Sequence, residues 1–161
     1  MHSRVFQITK QELPDDDFLT YVDMPDWFYD SIADAGDDIA PKNRADEINW
    51  LCEVIGSQAK ADGNRLTFTE GVKKDYFEKR FITFRQKLAA LQTCSLEEFA
   101  GLCDHETLDS LVYQLNDAFS DKFGFYVYDT LECELITLQE WLRNVDTAET
   151  YYVGGIINYH W

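Results

Sequence analysis

The spacing of apolar residues changes along this chain, and each change marks an element. In RVFQIT at 4–9, Phe6 and Ile8 alternate with other residues, which predicts a first strand. RLTFT at 65–69 repeats the pattern with Leu66 and Phe68. FGFYVY at 123–128 is apolar or aromatic on both faces, as an interior strand would be. YYVGGIINYHW at 151–161 predicts a last strand, and its paired Gly154 and Gly155 predict a bulge or a close backbone approach.

Between these runs the period is helical. Asp23-Met-Pro-Asp26 reads as a helix start, with Asp as N-cap and Pro in the first turn; the helix runs through WFYDSIADA and stops near Gly36. Asp46 opens a second helix with Ile48, Leu51, Cys52 and Ile55 on one face, and Gly56 ends it. Asp62-Gly63 is a turn dipeptide. GVKKDYFEKRFITFRQKLAAL at 71–91 predicts the longest helix. There Phe77, Phe81, Phe84, Leu88 and Leu91 recur at steps of 4, 3, 4 and 3, as a core-facing seam does. Ser95-Leu-Glu-Glu98 and Thr137-Leu-Gln-Glu140 are capping boxes. Asp104 can cap a helix carrying Leu108, Leu111, Val112, Leu115 and Phe119. The whole predicts one α+β domain over 1–161, with about six helices packed on a small sheet of about four strands. Strand order is not readable from the pattern.

Composition narrows the class. The 161 residues are 45% hydrophobic and 15% aromatic, which excludes a disordered chain. No apolar run reaches membrane-spanning length, and MHSRVFQITKQELPDDD lacks an apolar signal core, so the expected compartment is the cytoplasm. There Cys52, Cys94, Cys103 and Cys133 are expected as buried, reduced thiols.

Charge changes the picture more. The net charge is −16. Residues 1–64 carry 14 acids and 5 bases, residues 65–92 carry 3 acids and 7 bases, and residues 93–161 carry 13 acids and 2 bases. Direct nucleic-acid binding is excluded, because phosphate contacts need a broad basic face. An anionic membrane is excluded for the same reason. The positive charge gathered at 71–91 has two readings. Lys and Arg stems can edge the apolar stripe and offset acidic neighbours. Alternatively Lys73, Arg80 and Lys87, seven apart, form a row that binds an anion.

The most unusual feature is an aspartate series. If the helix begun near Asp23 continued far enough, Asp26, Asp30, Asp34 and Asp37 would form a carboxylate ridge at steps of 4, 4 and 3, with Asp38 beside it and Trp27 as an aromatic anchor. Like charges at this spacing weaken a helix by tenths of a kcal/mol per pair. The alternatives are retention for binding and a solvated face that aids solubility.

Signatures for chemistry are sparse. Cys103, His105 and Glu106 have metal-ligand types, but no C-x-x-C or H-x-x-x-H accompanies them, and Asp104 as an N-cap explains the cluster without metal. No nucleophile elbow, P-loop or dinucleotide fingerprint occurs. The reading is an acidic cytoplasmic interaction module without a cofactor. It engages a basic, nucleic-acid-binding surface of a partner protein, as an inhibitor of the antirestriction or immunity type. The alternatives are a small enzyme or ligand-binding domain near Cys103 and His105, and an assembly subunit, with the oligomeric state open.

Overall fold

A computed structural model of the chain describes residues 2–102 and 106–161, apart from the Glu106 side chain. Seven strands form one mixed sheet: β1 (His2–Thr9), β2 (Ala35–Asp38), β3 (Ala59–Asp62), β4 (Arg65–Phe68), β5 (Tyr126–Asp129), β6 (Glu134–Thr137) and β7 (Thr150–His160). The order is β3-β4-β7-β1-β5-β6, and β2 also pairs with β7. Only β1 and β5 run parallel. The α-helices are α1 (Asp26–Ser31), α2 (Arg44–Ile55), α3 (Val72–Leu91), α4 (Leu96–Phe99), α5 (Glu106–Ser120) and α6 (Leu138–Asn144), with three single 3-10 turns at 15–17, 21–23 and 41–43. The protein is therefore α+β, but among the described residues its seven strands exceed the expected four, and three 3-10 turns add to the six α-helices.

Each discrepancy has a physical cause. The unforeseen strands β2 (AGDD), β3 (AKAD) and β6 (ELIT) are four residues each. β2 and β3 hold no β-former, so pairing and not propensity makes them, whereas β6 holds Ile136 and Thr137. β3 joins β4 through a two-residue hairpin loop, with Gly63 at φ +62. The helix expected to reach Gly36 ends at Ser31, and the chain then pairs as β2 with 157–160 of β7. Of the α3 seam, only the first residue, Phe77, packs against the main core. Only Val72 and Tyr76, in its first turns, are buried.

The sheet is covered on both faces, as alternate residues of β1 show. Phe6 and Ile8 join a cluster with Ile48, Leu51 and Ile55 of α2, Val72 of α3, and Leu138 and Trp141 of α6. Val5, on the opposite face, joins Phe28 and Ile32 of the α1 region with Tyr126, Ile157 and Tyr159. Fully burying such side chains contributes roughly 1.5–3 kcal/mol each.

At the middle of β7 the register with β1 shifts between Phe6 and Ile8, so Gly154 and Gly155 face the single residue Gln7. Gln7 is a buried polar side chain in an apolar strand. Its Oε1 accepts the Leu19 amide at 2.8 Å and the Gly155 amide at 2.7 Å, and its Nε2 donates to the Asp17 carbonyl at 3.2 Å. Both glycines are sterically required. A Cβ on Gly154 would overlap Gln7 Oε1, and one on Gly155 would overlap the Leu19 carbonyl oxygen.

Gly155→Ala is expected to lift segment 17–19 from the sheet and lower stability by about 2–3 kcal/mol in urea unfolding. Gly71→Ala, whose Cβ would meet only ordinary contacts from 3.7 Å, is the control and is expected to change stability by less than about 0.5 kcal/mol. Equal effects would contradict the close approach.

Candidate functional site

The segment held down by Gln7 carries the aspartates. Asp15, Asp16 and Asp17 form the first 3-10 turn and are exposed. Arg44, at the start of α2, reaches over this turn: its guanidinium lies 4.5 Å from the Phe18 ring centroid and donates to the Val153 carbonyl at 3.1 Å. Burial lowers the Arg44 pKa, and Asp15 works against that shift. Thr20 donates its hydroxyl and its amide to Asp23 Oδ2 at 2.7 and 2.9 Å, which holds the Asp23 carboxyl below its ordinary value.

Asp26 and Asp30 lie four apart on α1 and are exposed. The expected continuous ridge breaks there. Asp34 sits in the turn before β2, 2.9 Å from His160 Nδ1, and that hydrogen bond lowers its carboxyl pKa. Asp37 and Asp38 are neighbours on β2, so they point to opposite sheet faces. Asp38 pairs with Ile157 and turns toward the α1 side, where its Oδ1 accepts the Tyr21 amide at 2.7 Å. Asp37 pairs with Asn158 and belongs to the α2 side. The fold therefore replaces the ridge with Asp26 and Asp30 on α1 and with Asp37 and Asp38 on opposite faces of β2. Burial raises the Tyr29 pKa, and the charges of both strand residues reach its hydroxyl and add to that rise. Of the six predicted partner-binding residues, Asp34 alone has an ion pair among the described residues.

Trp27 is 46% exposed, with its ring edge-on to Phe28. Beside it lies a cavity of about 520 Å³ lined by Asp23, Trp27, Tyr128, Glu134 and Leu135. Part of that lining is β6, an edge strand of the sheet, whose outer backbone groups have no strand partner among the described residues. Glu134 and Asp23 thus join Trp27 in a way the sequence did not signal, because β6 was not foreseen.

The basic row on α3 is partly consumed within the molecule. Lys73 Nζ donates to the Arg143 carbonyl at the end of α6 at 3.0 Å. Arg80 pairs with Asp121 at 2.8 Å and lies over the Tyr76 ring. Lys87 is half-buried. Burial pushes the Asp121 carboxyl above its ordinary value, and the Arg80 charge and hydrogen bond hold back part of the rise.

Cys103 and His105 lie outside the described residues, as does the Glu106 side chain. No group of three or more metal-ligating side chains occurs among the described residues. Cys52 packs half-buried against the core, with burial pushing its thiol pKa up, whereas Cys133 is exposed, contrary to the expected burial. No helix among the described residues is long and apolar enough to cross a membrane. Compared with protein-family models, curated proteins and solved structures, the chain matches none.

Arg80→Ala leaves the Asp121 carboxylate buried without its cation. The expected loss at neutral pH is about 2–4 kcal/mol in urea unfolding. Removing the guanidinium raises the Asp121 pKa further in the folded state, so the folded protein binds a proton where the unfolded chain has released it. The loss is therefore fully present above the variant's folded pKa and fades as pH falls through it to the wild-type folded value, itself raised by burial, below which the carboxyl is protonated in both proteins. An Arg80→Ala defect independent of pH would contradict this role.

Proposed function

We propose that the protein is an acidic interaction module that binds a basic surface of a partner protein and blocks it, the partner being one that handles nucleic acid. The single observation that carries this reading is the exposure of Asp16, Asp26 and Asp30, without ion pairs among the described residues, on a segment laid over one sheet face beside the half-exposed Trp27. A solvated surface needs no aromatic anchor, whereas a protein interface centres on one. The anion-binding row is the weaker candidate, since Lys73 and Arg80 already serve α6 and Asp121.

The probe is a lysine-rich histone-tail peptide, followed by stopped flow. Its association rate is expected to fall about 10–100-fold between low and high salt, because exposed charges steer encounter through a field that salt screens. Neutralising Asp16, Asp26 and Asp30 to Asn together is expected to remove most of that salt dependence, and Trp27→Ala to raise the dissociation rate about 30-fold. Peptide binding that is equally fast at every salt concentration, or unchanged in the triple variant, would contradict the reading.

A further inference from the structure

The α3–α5 pair stands apart from the sheet. Beyond Tyr76 no residue of α3 is buried, and no described residue of α5 is buried either. Yet the two helices pack on each other, with the Phe84 and Phe119 ring centroids 6.2 Å apart. Nine of the fifteen large apolar residues exposed among the described residues fall within 81–119. A water-soluble monomer seldom leaves so much apolar surface in one place.

These residues form a pattern. On α3, Phe81 and Leu88 are seven apart and 59% and 37% exposed; on α5, Val112 and Phe119 are seven apart and 52% and 62% exposed. Seven residues are nearly two helical turns, so each pair lies in one row. Two cavities follow the groove between the helices. One, of about 600 Å³ near the sheet, takes in Phe77, Phe81 and Phe119. The other, of about 660 Å³ toward the far end, takes in Leu91, Leu108 and Val112. Along α3 and α5 these positions continue the same rows, so the groove runs the length of the hairpin.

We propose that two copies of this chain pair through their α3–α5 hairpins, α3 of each lying against α5 of the other to make a four-helix bundle. Charge selects this occupant. The groove is lined near the sheet by Lys74, Glu78, Arg143 and Arg80, the last already paired with Asp121, and α3 carries six bases against two acids. The covering helix must therefore be amphipathic and acidic. α5 is such a helix: it carries Glu106, Asp109 and Asp117, no base, and an exposed apolar row of its own. A two-fold covers both exposed rows at once and sets opposite signs across each contact. At 1.5 Å per residue the helices run about 30 and 22 Å, and side by side they span about 20 Å. Their shared face then projects about 500 Å² per copy, or about 1,000 Å² for the pair, the threshold for a specific interface.

The test is sedimentation equilibrium on the full chain, at concentrations up to about 100 µM. The expected mass is twice 18.8 kDa, at both low and high salt, because apolar burial holds the contact. Phe81→Asp is expected to weaken the dimer at least about 100-fold. Val112→Asp, on the other helix, is expected to do the same and decides the matter if Phe81→Asp does not fold. A monomeric wild type would overturn the proposal, including in favour of a foreign acidic helix as occupant, and so would a dimer unaffected by either substitution. The Asn triple variant of the acidic face is expected to remain dimeric, so failure of the charged interface and failure of this one are told apart.

Discussion

The Gln7 side chain bonds segment 17–19 to the centre of the sheet, and the rest of the surface is arranged around that contact. Its carbonyl oxygen accepts two amides that come from residues 12 and 148 positions away in sequence. An unpaired buried amide costs roughly 1–3 kcal/mol, so the glutamine stabilises chiefly by what would be lost without it. The bulge at Gly154 and Gly155 makes room for it. Because segment 17–19 is fixed there, the chain that follows must cross the α1 face, where Met24, Phe28 and Ile32 fill the space over Tyr126 and Tyr159.

That constraint distributes charge. A segment that buries its apolar residues on the sheet must turn its many aspartates outward. The other end of the molecule has the opposite problem. α3 leaves the core after Phe77, so Phe84 of α3 and Phe119 of α5 pack on each other away from the sheet. The protein thus presents two surfaces of different character: a carboxylate-rich one over the sheet and an apolar, basic-rimmed one on a projecting hairpin. Salt acts on them in opposite senses, since it screens the first and leaves the second largely intact.

Much of the framework was legible in the sequence. The two-residue period in RVFQIT and YYVGGIINYHW marked the two central strands, and the glycine pair marked the bulge. Capping chemistry marked α4, where Ser95 and Glu98 satisfy each other's amides, and α6, where Thr137 accepts from Glu140. Of the missed strands, β3 and β6 pair with their chain neighbours in hairpins, and β2 depends on long-range pairing. AGDD has no intrinsic reason to be a strand until 157–160 offers it an edge, and so the helical aspartate ridge, argued from spacing alone, breaks at Ser31. The seam of α3 forms a row as its spacing predicts, but beyond Phe77 it packs toward α5 and not the main core, because periodicity does not distinguish a core from another helix. Gln7 did carry a signal: a lone amide in the apolar run Val5 to Ile8 calls for a buried partner.

Native-state hydrogen exchange tests the central contact most directly. The Leu19 and Gly155 amides share one acceptor, so they should become exposed in the same opening, with matched protection that exceeds that of the α3–α5 amides beyond Tyr76. Leu19 exchanging at the rate of a free loop while Gly155 stays protected would mean that Gln7 does not hold segment 17–19 to the sheet.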